Sequence, residues 1–457
     1  MAKQERSLSE LYGDDPERGD ALAFGRRTGS SRRGFLGGAG LVTMGAAVGG
    51  TIPFSEHMPA GLIPAALAQG APPASPAPSS APAAAAAPKG PQLLDFPGKA
   101  KGLVLLGDRP LVAETPEHML DDDTTPFEKF FVRNNGLTPD DFKEGDAWEF
   151  SIDGEVNTPL KLKLGELKQK FTHKTYRTVL ECGGNGRSFF QPQARGNQWS
   201  NGGAGCAEWT GVPLADVLQS AGIKSSAVHT GNYGADQHLS GEAGKDAISR
   251  GVPIAAALEP HALLVWAMNG QPLPAIHGGP LRVVIPGFPA SVSHKWLKRI
   301  AIRDKEHDGQ GMGGTSYSVA IKPMIPGGKT DDANMRTMTD MPVRGIITNP
   351  ANGTRIAAGT RKLALRGAAW DGHEGVSRVD VSIDFGATWK QAKAAEPRNR
   401  YDWRRWTAEV ELPSDGYYEL WVRATDSKGR AQPHVAGGWN PQGYGANPMH
   451  RVAVLVG

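Results

Sequence analysis

The chain is punctuated too densely for long helices: 59 glycines and 35 prolines fall among its 457 residues and stop most apolar runs within a few positions. Glycine opens positive φ and proline withholds a backbone donor, so both belong at the ends of elements rather than inside them. Short strands joined by long loops satisfy this pattern, and a helical bundle does not. Strand-type runs lie at 130–132, 178–180, 262–266 and 281–285, most of them closed by Gly, Asn or Pro. Two short helices fit at 164–170 and 214–221, the second ending at Gly222. Residues 92–330 are therefore expected to form an α+β domain with mixed sheets.

The pattern changes after Pro323 and the Pro-Gly-Gly at 326–328. Val379, Val381, Ile383 and Phe385 alternate with Asp380, Ser382 and Asp384, the period of a half-buried strand. Trp406, Ala408, Val410 and Leu412 repeat it, as do Tyr418, Leu420, Val422 and Ala424, with Ser414-Asp415-Gly416 turning between them. Short alternating strands over 340–457 predict an immunoglobulin-like β-sandwich.

At the other end, Ser31-Arg32-Arg33-Gly34-Phe35-Leu36 opens an apolar, small-residue stretch, and Ala66-Leu67-Ala68 supplies a cleavage site. Residues 1–68 read as a twin-arginine signal peptide, and the Ala/Pro-rich 69–91 as a disordered linker. Prolines 53, 59 and 64 oppose a retained membrane span, so the expected location is the periplasm. A formal charge of +3 with no basic run leaves no electrostatic footprint for nucleic acid.

Chemistry concentrates in Thr178-Val179-Leu180-Glu181-Cys182-Gly183-Gly184-Asn185-Gly186-Arg187. A strand delivers one thiol into a loop where glycines permit close approach of something bulky, and a fixed cation follows. A thiolate is a soft metal ligand, and an arginine holds anions. Alone, the segment also fits a buried structural cysteine or a nucleophile with a histidine partner. The other cysteine, Cys206, reads as structural. Cys182 and Cys206 lie too far apart for a Cys-x-x-Cys-His attachment motif, so no haem is expected in this chain.

Further segments fall into a recognisable order: Phe131-Val132-Arg133-Asn134-Asn135, the Cys182 loop, Glu208-Trp209-Thr210-Gly211-Val212-Pro213-Leu214, Met268-Asn269-Gly270-Gln271-Pro272-Leu273-Pro274, His277-Gly278-Gly279-Pro280-Leu281-Arg282 and His294-Lys295-Trp296-Leu297. This order resembles the sulfite oxidase family of molybdenum enzymes, and among its members the bacterial periplasmic sulfite dehydrogenases. The resemblance spans roughly 100–457 and implies a sulfite-oxidase-type molybdopterin domain followed by a dimerisation domain.

It implies molybdopterin as cofactor, with Cys182 as the thiolate on molybdenum. Asn134, Asn135, His277, Arg282, Ser293, His294 and Lys295 match positions that hold the pterin and its phosphate. Arg133, Arg187, Trp199 and Tyr317 match the substrate site, where two guanidiniums suit a small oxyanion. Two departures stand out: Asn135 replaces a histidine of animal members, and Gln442 replaces a third anion-binding arginine.

The implied activity is oxidation of sulfite to sulfate with electrons passed to an external c-type cytochrome, in a homodimer or a heteromer with a cytochrome subunit. Three alternatives share parts of the pattern. One is the catalytic subunit of a sulfane dehydrogenase in a thiosulfate-oxidising complex. Another is a periplasmic methionine-sulfoxide reductase, a group that typically lacks the sandwich. The third is a secreted, non-enzymatic binding protein with an inert Cys182.

Overall fold

Leu164–Lys170 and Leu214–Ala221 both form α-helices, and a third turn of helix follows at Ile254–Ala257. The first is capped by Glu166, which accepts from the Lys163 amide at 2.8 Å, and carries Lys168 and Lys170 in its last turn. Gly222, at φ 69°, ends the second. Among the described residues, everything else of regular structure is strand or 3₁₀ turn. The computed structural model describes residues 90–457. The twin-arginine signal and the linker up to residue 89 lie outside the described residues. Among those described, no helix is long and apolar enough to cross a membrane.

Two five-stranded sheets and a three-stranded one build the N-terminal half. One five-stranded sheet runs in the order Gln271–Pro272, Leu263–Met268, Ala204–Pro213, Lys174–Glu181, with Arg282–Val284 also pairing to Leu263–Met268. The other orders Leu160–Lys163, Glu149–Gly154, Leu297–Arg303, His229–Gly234 and Ser249–Arg250. It is mixed, because Leu297–Arg303 runs parallel to Glu149–Gly154 and antiparallel to His229–Gly234. Trp148, Ile152, Leu214, Val217, Leu264, Val283 and Ile300 form one buried core drawn from both sheets and the helices.

The strand expected at 130–132 is shorter and shifted, to Val132–Arg133. Phe130 donates its amide back to Pro126 at 2.9 Å, a turn that takes it out of strand pairing, and its ring stacks on Phe131 at 5.1 Å.

Residues 344–456 form two sheets around a second core that includes Leu365, Val379, Trp406, Val410, Leu420, Val422 and Val454. One sheet orders Arg344–Asn349, Lys362–Trp370, Arg404–Glu411 and Lys393–Ala394. The other orders Thr354–Ile356, His450–Val456, Gly416–Asp426, Val376–Ser382 and Lys390–Gln391. Arg404–Glu411 alternates as its sequence predicts. Val376–Ser382 does not: Asp380 and Ser382 are buried along with Val379 and Val381. Arg378 at 2.7 Å and Arg423 at 3.5 Å cover the Asp380 carboxylate, which lets a polar position turn away from water. Phe385 lies past this strand, 61% exposed in a turn at φ 59°.

Buried contacts tie the two halves together. Leu120, Cys206, Ile346, Trp370 and Trp403 share one core cluster. Arg177 is held by Asp402 at 2.7 Å, and Arg344, wholly buried, by Glu181 at 2.6 Å. Cys206 is buried, with its thiol 3.4 Å from the Asp402 carboxylate and its acidity suppressed chiefly by burial. Its surroundings are structural.

Candidate active site

The edge strand Lys174–Glu181 ends one residue before Cys182, and the chain then turns sharply. Cys182 donates its amide to Gly203 and accepts from the Asn185 amide, both at 2.8 Å. Gly186 carries φ 87°, and a Cβ there would lie 2.6 Å from the Ala446 carbonyl oxygen. Glu181 anchors this turn from behind. Its carboxylate accepts from Arg344 at 2.6 Å, Trp370 Nε1 at 2.7 Å and Asn185 Nδ2 at 2.8 Å. Arg344 and Trp370 come from the C-terminal half, which therefore holds the cysteine loop in place.

Cys182 lines a pocket with about 660 Å³ of empty space, part of it open to solvent. Around it stand Arg133, Asn134, Asn135, His277, Arg282, Ser293, His294, Lys295 and Tyr317. Ten of the twelve residues singled out in the sequence thus meet in one cavity. Arg187 and Trp199 do not line it.

Arg187 is buried beside the loop, donating Nε to the Gln442 carbonyl at 2.6 Å and Nη1 to the Asn197 carbonyl at 2.8 Å. A Cβ on Gly184 would fall 2.3 Å from its Nη2, so the guanidinium rests directly on the cysteine loop. Trp199 is fully buried, its ring edge-on to Phe131 at 5.9 Å, with its indole N–H lacking a partner. It packs behind the wall rather than forming it.

The pocket cations are satisfied only by neutral oxygens. Arg282 is buried and donates to the carbonyls of His277 at 2.8 Å and Ser293 at 2.7 Å, while its Nε has no partner. Lys295 donates to Asn134 Oδ1 and the Ile276 carbonyl, both at 2.7 Å. Arg133 donates to the Asn134 carbonyl. Burial pushes the Lys295 pKa well down, and the like charges of Arg282 and Lys99 add to this. Burial likewise brings Arg282 down to about 9. A buried cation without an anion is costly, so this wall is built for a negatively charged group. Asp236, with its pKa pushed up to about 6 mainly by burial, is the acidic residue among the lining.

Burial disfavours the charged form of both pocket histidines. Burial carries His294 down to about 3, and its Nε2 accepts the Arg250 amide at 3.2 Å. His277 is also depressed by burial, with Lys99 Nζ 3.1 Å from its Nε2. The Ser293 hydroxyl accepts from the Ile285 amide at 3.0 Å. Tyr317 sits at φ 46°, and its hydroxyl reaches Asn135 Oδ1 at 3.4 Å.

Three residues at this site have no place in the expectations drawn from sequence. Lys99 stands behind His277, Arg250 packs its guanidinium over Tyr317 at 4.2 Å, and Tyr444 stacks on Tyr317 at 4.9 Å. Tyr444 carries a signal that was available, an aromatic between Gly443 and Gly445 like Tyr317 after Gly313-Gly314. Lys99 and Arg250 carry none.

These residues fit a phosphate-bearing cofactor bound through one protein thiolate. Arg282 presents an orphaned buried donor, and Lys295 approaches Gly278 so closely that a Cβ there would fall 2.7 Å from the lysine's own. Among the described residues no group of three or more His, Cys, Asp or Glu would hold a metal alone. A metal at Cys182 must bring further ligands with it.

Comparison with known proteins agrees. Residues 135–311 match the oxidoreductase molybdopterin binding domain family, and residues 335–457 the Mo-co oxidoreductase dimerisation domain family. The chain is 32% identical over 382 residues to the mitochondrial sulfite oxidase of Rattus norvegicus, covering 79% of this chain and 67% of that one. With the sulfite oxidase of Gallus gallus it shares 32% identity over 366 residues, 78% of each chain. Among solved structures, the sulfane dehydrogenase SoxCD from Paracoccus pantotrophus superposes with a TM-score of 0.63 at 26% identity, covering 75% of this chain and 83% of that chain.

Proposed function

The chain belongs to the sulfite oxidase family of molybdopterin oxidoreductases, and from that premise we propose that it oxidises sulfite to sulfate in the periplasm and passes the electrons to a c-type cytochrome. The observation that carries this reading is one thiol, Cys182, in the wall of a pocket where buried Arg282 and the neighbouring Lys295 donate only to neutral oxygens.

In this reading Cys182 binds the metal of the cofactor, and Arg282 and Lys295 receive its phosphate. Asn134, Asn135, His277, Ser293 and His294 complete the cradle. Oxidation of sulfite adds one oxygen from water and releases two electrons and two protons, and molybdopterin supplies that two-electron capacity when bound. Arg133 in the pocket wall and Arg187 on the cysteine loop beside it hold the oxyanion against that loop. Tyr317 offers its hydroxyl at the pocket edge, and Trp199 backs Phe131. The 344–456 sandwich is read as immunoglobulin-like and as the surface through which two copies, or a cytochrome subunit, assemble. Export by the twin-arginine route delivers the protein already folded. Residues 92–330 act as the catalytic domain and 340–457 as the dimerisation domain.

The sulfane dehydrogenase reading is favoured by the similarity to SoxCD and by Gln442, an amide where a third cation would grip free sulfite. One preparation distinguishes the two. About one molybdenum per chain together with sulfite-dependent cytochrome c reduction supports the sulfite reading, and molybdenum without sulfite turnover favours the other. Arg187→Met is expected to lower kcat/KM for sulfite on the order of 10²–10³-fold. Unchanged turnover in that variant contradicts the pocket assignment.

A further inference from the structure

Tyr317 is held by a run of contacts outside the residues already given roles. Arg250, Tyr317, Tyr444 and Arg187 touch in succession. The Arg250 guanidinium carbon lies 4.2 Å from the Tyr317 ring centre. The Tyr317 and Tyr444 rings stack at 4.9 Å with 19° between their planes. The Arg187 guanidinium lies 5.2 Å from the Tyr444 ring centre. A guanidinium within about 6 Å of an aromatic face is attracted to it, more strongly when both are dry. Arg250 is 1% exposed and Arg187 6%.

Neither cation is neutralised. The Arg250 side chain donates Nη1 to the Gly311 carbonyl at 2.9 Å, and its Nε is buried with no partner. Arg187 likewise bonds only carbonyl oxygens. Arg250 is also rigidly mounted. It ends the strand Ser249–Arg250, its amide donates to His294, and a Cβ on the following Gly251 would collide with the Thr230 carbonyl oxygen at 1.6 Å.

Position 442 does a different job here. The Gln442 amide donates to the Thr315 hydroxyl at 3.2 Å, two residues before Tyr317, and its backbone carbonyl accepts from Arg187. It supports the neighbouring residues and carries no charge.

We propose that Arg250 and Tyr444 are positioning residues of the oxyanion site, fixing the Tyr317 ring between the Arg250 guanidinium and the Tyr444 ring, which in turn packs on Arg187, with Arg250 supplying the buried positive charge that Gln442 lacks. The strained left-handed backbone at Tyr317, φ 46°, persists because this packing holds it. The inference rests on the pocket being a site for sulfur oxyanions. It adds a second source of specificity at the site, from residues outside the motifs that carry the resemblance.

The test uses holoenzyme of the parent, Arg250→Met, Arg250→Lys and Tyr444→Leu, with sulfite turnover and sulfate binding by calorimetry measured on each. Arg250→Met is expected to raise the KM for sulfite and the Kd for sulfate together by about tenfold. Its kcat should fall less than about threefold, and its molybdenum content should stay at the parent's. Arg250→Lys should recover part of both affinities, and Tyr444→Leu should shift both in the same direction as Arg250→Met. A merely structural arginine would lower melting temperature and kcat without moving the two affinities in parallel. KM and Kd within twofold of the parent in both Arg250→Met and Tyr444→Leu would overturn the proposal. Arg250→Lys no better than Arg250→Met would overturn its charge component. Sulfate binding needs no turnover, so a parent that binds sulfate but does not oxidise sulfite sinks the sulfite reading alone. A parent that binds no sulfate sinks this inference.

Discussion

Replacing Arg344 by Met removes the side chain that joins the sandwich to the cysteine loop. Arg344 is wholly buried and donates to Glu181 Oε1 at 2.6 Å, Asn201 Oδ1 at 3.0 Å, the Asn185 carbonyl at 3.1 Å and the Ala446 carbonyl. Methionine fills similar volume but leaves Glu181, 2% exposed, with only the neutral donors Trp370 and Asn185. Breaking a buried ion pair from one side costs ~3–5 kcal/mol. An unfolding entropy of ~2.1 cal/mol/K per residue, across the 90–457 unit, converts this to a fall in Tm of about 4–6 °C. Adding Glu181→Gln removes the stranded charge, so the double variant should regain part of the loss. Because Glu181 adjoins Cys182, Arg344→Met should also lose molybdenum or turnover beyond what the melting shift explains. Thermal melting by circular dichroism, with metal content on the same samples, checks this. A melting point within about 1 °C of the parent, or a double variant less stable than Arg344→Met, refutes the reasoning.

Gly184→Ala places a Cβ 2.3 Å from Arg187 Nη2 and 2.6 Å from its Cζ. The far end of the arginine must swing aside, so the KM for sulfite should rise about tenfold with melting nearly unchanged; an unaltered KM contradicts the role given to Arg187. Glu114 is buried, and that burial pushes its pKa up to about 7 against hydrogen bonds from Ser200 and Gly202. The native state therefore holds this proton more tightly than the unfolded chain. The resulting stability is fully present below pH ~4.5 and is lost as pH rises through about 7. Glu114→Gln should raise the melting temperature at pH 8, by a few kcal/mol in stability at most, and this gain should shrink toward pH 4.5. A gain independent of pH contradicts it.

Much of the fold and most of the site were legible in the sequence. Gly222 and the polar-to-apolar patterning of Leu214–Ala221 are local signals, and local signals suffice for short helices. Ten of the singled-out residues converge because motif order reflects a shared three-dimensional arrangement. Trp199 shows where that stops: a motif gives a residue's place along the chain, while its depth behind Phe131 depends on packing from distant segments. Asp380 makes the same point in the sandwich, where two arginines allow a polar residue to be buried against its period. Arg250 was illegible because its meaning is entirely tertiary. It lies far along the chain from Tyr317, and no motif joins them.

The account depends on the Cys182 sulfur being a ligand of the cofactor's metal, and X-ray absorption at the molybdenum edge of the holoenzyme and of Cys182→Ser tests that directly. The sulfur shell is expected to lose one scatterer in the variant, with sulfite turnover abolished. An identical sulfur shell in both proteins would contradict it.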